Sequence, residues 1–348
     1  MSIEFPFPSK EKKIIYSSQN FSKKFKNLNN FFIFADYDET FTKRFNNLNE
    51  RNIVTFGVIE NFSLISNDFK KYANFLANKF RIYESDFNLD FNLRNEKLFE
   101  WYDLCLKAMV KENFNRNKLK EMLNECIKKN KIYFRFGVKK FFDIIIKFKL
   151  PLILISGGIK EIIIMEIVEL IGNEKYNFLI DNNLLFIIAN SFIFKNENNN
   201  NNLTNENKNL NNENNLNNEN KNLNNENKNL TNENNLNKEN NLNNENNNVI
   251  DYKKPIVYTF YKNLSVDNLI KELKLNELKL NVLFMGDNLN DIDAIKDIKF
   301  EEKKSIFFYN KEIENFPEKE CFKKYDIAIL NDGDFEIVNE ILLNNFNL

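Results

Sequence analysis

Short β-rich runs recur along the chain at "FFIFA" (31–35), "PLILIS" (151–156), "LFIIAN" (185–190), "NVLFMG" (281–286), "SIFFYN" (305–310) and "YDIAIL" (325–330). Helical patterns lie between several of them, such as "VKKFFDIIIKF" (138–148) before the second run and "IKEIIIMEIVELIG" (159–172) after it. This alternation limits the fold more than any other feature. Strands separated by helices imply right-handed crossovers and a mainly parallel, doubly wound sheet. Apolar runs that do not alternate strictly with polar residues fit strands covered on both faces. The expectation is an α/β, Rossmann-like sheet.

Two stretches depart from this rhythm. More than a hundred residues separate the first run from the second, far more than one crossover helix needs, and "TFGVIENFSLISNDFKKYANFLANKF" (55–80) and "KLKEMLNECIKKN" (118–130) carry helical periodicity. We expect an inserted α-helical module over 46–130, lying as a cap above the strand ends, with residues 1–45 and 131–348 forming the core. In the second stretch, residues 196–248, 32 of 53 positions are Asn in a loose repeat. Asn is a poor helix former, and the composition predicts a low-complexity, disordered insert within the core. Loop-closure cost rises by only about 0.6 kcal/mol per doubling of length, so a fold tolerates such an insert.

Composition then removes whole classes of chemistry. The chain has no histidine, which excludes the usual general base, the usual zinc ligand and any Ser-His-Asp or Cys-His mechanism. With 49 basic and 50 acidic residues and a net charge of -1, no electrostatic footprint favours nucleic acid or an anionic membrane. Cys105, Cys126 and Cys321 are three, widely spaced and without CxxC spacing, which argues against a disulfide framework or thiolate metal site. No apolar stretch approaches 18 uncharged residues and the start lacks a hydrophobic signal region. A cytoplasmic location is expected.

In parallel α/β sheets ligands bind outside the carboxyl ends of the strands. After the first run come Asp36, Asp38 and Glu39; after the second, Ser156, Gly157 and Gly158; after the fourth, Asp287 and Asp291. Carboxylates at 36, 38, 287 and 291 would form an oxygen-rich pocket of the kind Mg²⁺ requires. The Ser hydroxyl, the glycine amides and a helix N-terminus would supply donors to a phosphate. Asp36 can then attack phosphorus to give an aspartyl phosphate, and Asp38 can protonate the leaving oxygen and afterwards activate water. A lysine should pair with the nucleophile. Asp clusters after strands also form plain turns, and "GDNLND" can equally be a capping loop; the order of the segments favours catalysis.

The sequence DxDxT, then Ser-Gly, a lysine and GDxxxD resembles the four motifs of the haloacid dehalogenase (HAD) superfamily of phosphotransferases. "DYDETFTKRF", Glu84 followed 17 positions later by Trp101 in "FEWY", "ILISGGI", "IIANSFIFK" and "VYTFYKN" narrow the likeness to cytosolic 5'-nucleotidase III, the pyrimidine 5'-nucleotidase family. The resemblance implies that Asp36 is the nucleophile and Asp38 the acid/base. It implies Mg²⁺ held by Asp36, the Asp38 backbone carbonyl and Asp287, with Asp291 nearby, and phosphate held by Ser156, Gly157 and Lys262. Glu84 would contact base or ribose, and Trp101 would help shape that pocket. Lys262 competes with Lys253 and Lys254, Glu84 with a plain surface acid, and Trp101 with an ordinary core aromatic. Asn288 stands where the family usually has Ser.

The implied activity is a Mg²⁺-dependent 5'-nucleotidase that hydrolyses nucleoside 5'-monophosphates, with pyrimidine substrates such as UMP and CMP expected. A second reading keeps the chemistry but changes the substrate to 7-methylguanosine monophosphate, phosphoserine or a sugar phosphate. A third makes the chain a non-catalytic interaction protein acting through its Asn-rich insert.

Overall fold

The computed structural model describes residues 14–17, 23–46, 49–86, 88–195, 247–311 and 313–346. All but two residues of the predicted Asn-rich insert lie outside these ranges. In chain order, the strands are β1 (Ile14–Tyr16), β2 (Phe31–Ala35), β3 (Leu152–Ile159), β4 (Leu185–Asn190), β5 (Phe192–Phe194), β6 (Val249–Tyr252), β7 (Leu280–Gly286), β8 (Phe300–Phe308) and β9 (Ile327–Ile329). Seven of them form one sheet in the order β1-β9-β8-β7-β2-β3-β4; β1 runs antiparallel to β9 and every other neighbouring pair is parallel.

Sequence pattern explains why the sheet is covered on both sides. Along β2, Ile33 and Ala35 face one apolar cluster and Phe34 faces another; Leu152 and Leu154 of β3 share the first cluster, Ile153 and Ile155 the second. Residues two apart point the same way, so a continuous apolar run feeds both faces. Helices α5 (Val138–Phe148), α6 (Lys160–Ile171) and α7 (Asn173–Asp181) cover the first face, and α8 (Lys262–Glu272) lies over the second.

Between β2 and α5 the chain forms α1 (Thr55–Glu60), α2 (Asn67–Ser85), α3 (Phe91–Lys111) and α4 (Arg116–Lys128). Ser66, Asp90 and Asn115 cap the last three by accepting from Phe69, Leu93 and Lys118 N–H at 3.0, 3.0 and 2.8 Å. These helices bury Val58, Leu106, Met109 and Leu123 in a third apolar cluster, which also takes in Phe192, Phe194 and Val249 of the antiparallel β5–β6 pair. The ends of that pair flank the Asn-rich stretch.

Tyr37 follows β2 and turns away from the acids on either side of it. It is fully buried against Phe41, and its hydroxyl donates to Glu166 Oε2 at 2.8 Å from α6. Burial pushes the Glu166 carboxyl up to about 8, with Asp38 adding to the rise. A carboxyl that keeps its proton when folded and loses it when unfolded stabilises the fold at low pH, and that contribution falls as pH rises from about 4.5 to about 8. Glu166→Gln should therefore flatten the pH dependence of stability between pH 5 and 8 by an amount of the order of a few kcal/mol. Denaturant unfolding of both proteins at several pH values measures it, and parallel curves would refute the assignment.

Candidate active site

The strand order reverses direction between β2 and β7, and this crevice is where a doubly wound sheet binds its ligand. Asp36 leaves β2 there, with its N–H donating to Met285 O at 3.0 Å. Asp287 leaves β7 beside it. Asp36, Asp287 and Asp291 each place one carboxylate oxygen within 4.8 Å of the others. Asp36 and Asp291 are buried and Asp287 is half-buried.

Lys262, the first residue of α8, is buried between two of these acids. Its Nζ donates to Asp36 Oδ1 at 2.6 Å and to Asp291 Oδ1 at 2.8 Å. Burial alone would lower the ammonium, but Asp291 and Asp36 raise it above its ordinary value. The competing Lys254 lies at the surface, donating to Asp103 at 2.9 Å. Burial pushes the Asp36 carboxyl up to about 7 despite Lys262, with Asp291 and Asp38 contributing. Asp287 is raised well above the carboxylate range by burial and by Glu39, Asp291 and Asp36. Two carboxyls held above their ordinary values, beside a third that shares one ammonium with Asp36, form a site suited to additional positive charge.

An all-oxygen donor set suits a hard divalent ion. Asp291 is the least available of the three: its Oδ1 accepts from Lys262 and its Oδ2 from Asn288 N–H at 2.8 Å. Asp36 and Asp287 are better placed to hold such an ion. The Asp38 carboxylate stands outside the cluster, because its Oδ1 accepts from Thr55 N–H at 3.0 Å and its Oδ2 from Thr55 Oγ1 at 2.8 Å. Burial pushes Asp38 up to about 6, while the Thr55 hydrogen bonds hold it down. Thr55 opens α1, so the first turn of the helical module orients this carboxyl.

Strand β3 extends further than expected, through Ser156, Gly157 and Gly158 to Ile159, with its register to β4 shifting between Ile155 and Ile159. Ser156 is buried and its Oγ accepts from Gly158 N–H at 2.9 Å. A Cβ on Gly158 would overlap Thr55 Oγ1 and lie 2.7 Å from Asp38 Oδ2; one on Gly157 would lie 2.8 Å from the Tyr102 hydroxyl. Asn190, at the end of β4, donates to Gly157 O at 2.7 Å and to Val257 O at 2.8 Å, and accepts from Val257 N–H at 2.9 Å. Sequence reasoning passed over Thr55, Tyr102 and Asn190. Only Asn190 left a local signal, a polar residue ending a β-rich run.

Glu84, on α2, is half-buried; burial raises its carboxyl while Arg81 opposes the rise. Its charge is felt by Tyr102, whose hydroxyl burial raises further and which also senses Lys262, Asp36 and Asp38. Tyr102 therefore lies within electrostatic reach of both Glu84 and the acidic cluster. Trp101 is half-buried and stacks on Phe80 of α2 with ring centroids 6.4 Å apart.

The sequence profile of the pyrimidine 5'-nucleotidase (UMPH-1) family matches residues 39–233. The chain belongs to this family. Membership makes it a phosphoric monoester hydrolase of the 5'-nucleotidase type. The 7-methylguanosine phosphate-specific 5'-nucleotidase A of Xenopus laevis is 21% identical over 311 residues, covering 89% of this chain and 86% of that protein. The putative cytosolic 5'-nucleotidase 3 of Caenorhabditis elegans is 20% identical over 316 residues, covering 89% of this chain and 68% of that protein. Among solved structures, cytosolic 5'-nucleotidase IIIB bound to cytidine superposes with a TM-score of 0.59 at 14% identity, over 90% of this chain and 85% of that one. The family's fold is HAD-like, as expected from the motifs.

Gly158→Ala tests the close approach of β3 to the acid at 38. It should lower kcat on a phosphomonoester about 100-fold through displacement of that carboxyl, with the fold retained by circular dichroism. Wild-type turnover would show that the strand gives way freely.

Proposed function

We propose that the chain hydrolyses pyrimidine nucleoside 5'-monophosphates, CMP and UMP, with a magnesium ion held by Asp36, the Asp38 carbonyl and Asp287. The buried Lys262 bridging Asp36 and Asp291 carries this reading, because it fixes the nucleophile beside the acids that would share the ion. The chemistry supplied by bound Mg²⁺ is neutralisation of the phosphate oxygens and of the Asp36 charge.

Asp36 attacks phosphorus as the ester oxygen departs, and protonated Asp38 gives that oxygen its proton, leaving a nucleoside and an aspartyl phosphate. Asp38, now ionised, takes a proton from water as the water oxygen displaces Asp36 from phosphorus; phosphate leaves and both acids are restored. Thr55 orients Asp38 throughout. The Ser156 hydroxyl, the Gly157 amide and the Lys262 ammonium hold the phosphate.

Residues 46–130 act as the cap over a core of 1–45 and 131–348, with Glu84 contacting the base or ribose and Trp101 backing that pocket. The family's description supports a pyrimidine base. A second reading, 7-methylguanosine monophosphate, is favoured by the name of the Xenopus relative. A cytoplasmic location is supported by the three buried, free cysteines and by the name of the worm relative; among the described residues no helix is long and apolar enough to cross a membrane.

Asp36→Asn should abolish turnover with the fold intact, since an amide oxygen is no nucleophile. EDTA should silence the enzyme, and added Mg²⁺ should restore it. A panel of CMP, UMP, AMP, 7-methylguanosine monophosphate, phosphoserine and a sugar phosphate decides the substrate. Fastest turnover of a non-nucleotide would overturn the proposal.

A further inference from the structure

One guanidinium lies where the chain leaves the sheet for the helical module and where it returns. The two connections run side by side: Lys43 N–H donates to Tyr133 O at 2.8 Å and Arg135 N–H to Phe41 O at 2.9 Å, around an antiparallel bridge between Thr42 and Phe134. The Arg135 side chain is fully buried beneath them. Its Nε donates to Thr40 O at 2.8 Å, its Nη2 to Glu39 O at 2.5 Å and to Asn310 Oδ1 at 2.8 Å, and its Nη1 to Gly333 O at 2.5 Å. Nη1 also lies 3.0 Å from Asp332 Oδ1. All five guanidinium donors thus face an acceptor, and a lysine, with three donors at one point, cannot reproduce that fork.

Two acceptors belong to the turn that follows the acid/base. Glu39 sits at φ 58, a conformation that residues other than glycine seldom adopt. Asn310 Nδ2 donates to the same Glu39 carbonyl at 2.7 Å. Thr40 Oγ1 lies 3.5 Å from Asp287 Oδ1, at the outer limit of a hydrogen bond. We propose that Arg135, seconded by Asn310, is a positioning residue: it locks the Glu39–Thr40 turn and thereby sets both the Asp38 carboxyl and the approach of Thr40 to Asp287. This rests on the roles proposed above for Asp38 and Asp287.

The test compares Arg135→Lys and Asn310→Ala with wild type in the full chain, each assayed below its own melting temperature. CMP and p-nitrophenyl phosphate serve as substrates over a range of Mg²⁺ concentrations, and the Mg²⁺-induced rise in Tm is measured without substrate. Kcat should fall about 10- to 100-fold with little change in KM, and the Mg²⁺ concentration for half-activation should rise about tenfold. The Mg²⁺-induced rise in Tm should shrink in step. Variants that melt earlier but keep wild-type kcat and Mg²⁺ response would reduce Arg135 to a stabilising residue and overturn the proposal. Should Arg135→Lys fail to fold, Asn310→Ala decides by the same measures. A wild type that hydrolyses p-nitrophenyl phosphate but no nucleotide would remove the nucleotide reading and leave this test intact.

Discussion

A single ammonium between two buried carboxylates is the contact on which the site depends. Asp36 and Asp291 are buried and Asp287 is half-buried; burial raises the proton affinity of Asp36 and Asp287, and the neighbouring acids add to the rise in both. Without Lys262 the cluster would hold uncompensated negative charge. Removing one partner from such a buried pair costs about 3–5 kcal/mol, because the desolvation remains while the attraction is lost. The sheet makes the arrangement possible. Adjacent parallel strands deliver Asp36 and Asp287 to one crevice, and α8 begins with the lysine that meets them.

Around this contact the chain supplies rigidity from several directions at once. Thr55 belongs to the helical module, Asn190 to the end of β4, and Arg135 to the connection between α4 and α5. Each fastens one element of the site by hydrogen bonds that include a carboxylate or a backbone carbonyl among their acceptors. Such supporting groups fix the orientation of the side chains they hold. The helical module accordingly contributes to the site directly: the first residue of α1 holds the Asp38 carboxyl, and α3 brings Tyr102 against Gly157.

Much of this was legible in the residues. The bounds of β2 and β4 agree with the apolar runs, because a strand covered on both faces has few polar positions to blur its ends, and those of α5 agree with the helical spacing of its apolar residues. Asp36, Asp287 and Lys262 converge as the motif order implied. What was hidden is instructive. Strands β1, β5 and β6 have three or four residues each and owe their form to partners elsewhere in the chain. Strand β8 begins at Phe300 and takes in the charged stretch Glu301–Lys304, ahead of the apolar run at 305–310; there the Lys304 ammonium lies 4.8 Å from the centroid of the Phe25 ring and donates to Glu302 at 2.6 Å. Arg135 sits in "IYFRFG", where nothing local distinguishes a fully buried arginine from a solvated one. Its acceptors come from positions 39, 40, 310, 332 and 333, and only the fold assembles them.

The central place of β2 has a consequence during synthesis. Its partner on one side is β7, where Phe31 lies opposite Asn281, about 250 residues later. At the usual pace of translation the ribosome needs on the order of ten to fifty seconds to cover that distance. Throughout this interval the apolar ribbon "FFIFA" has an open flank, and a naked strand edge of that kind recruits other nascent chains. The same topology that seats β2 in the middle of the finished sheet thus leaves one of its edges unpaired until β7 has been made.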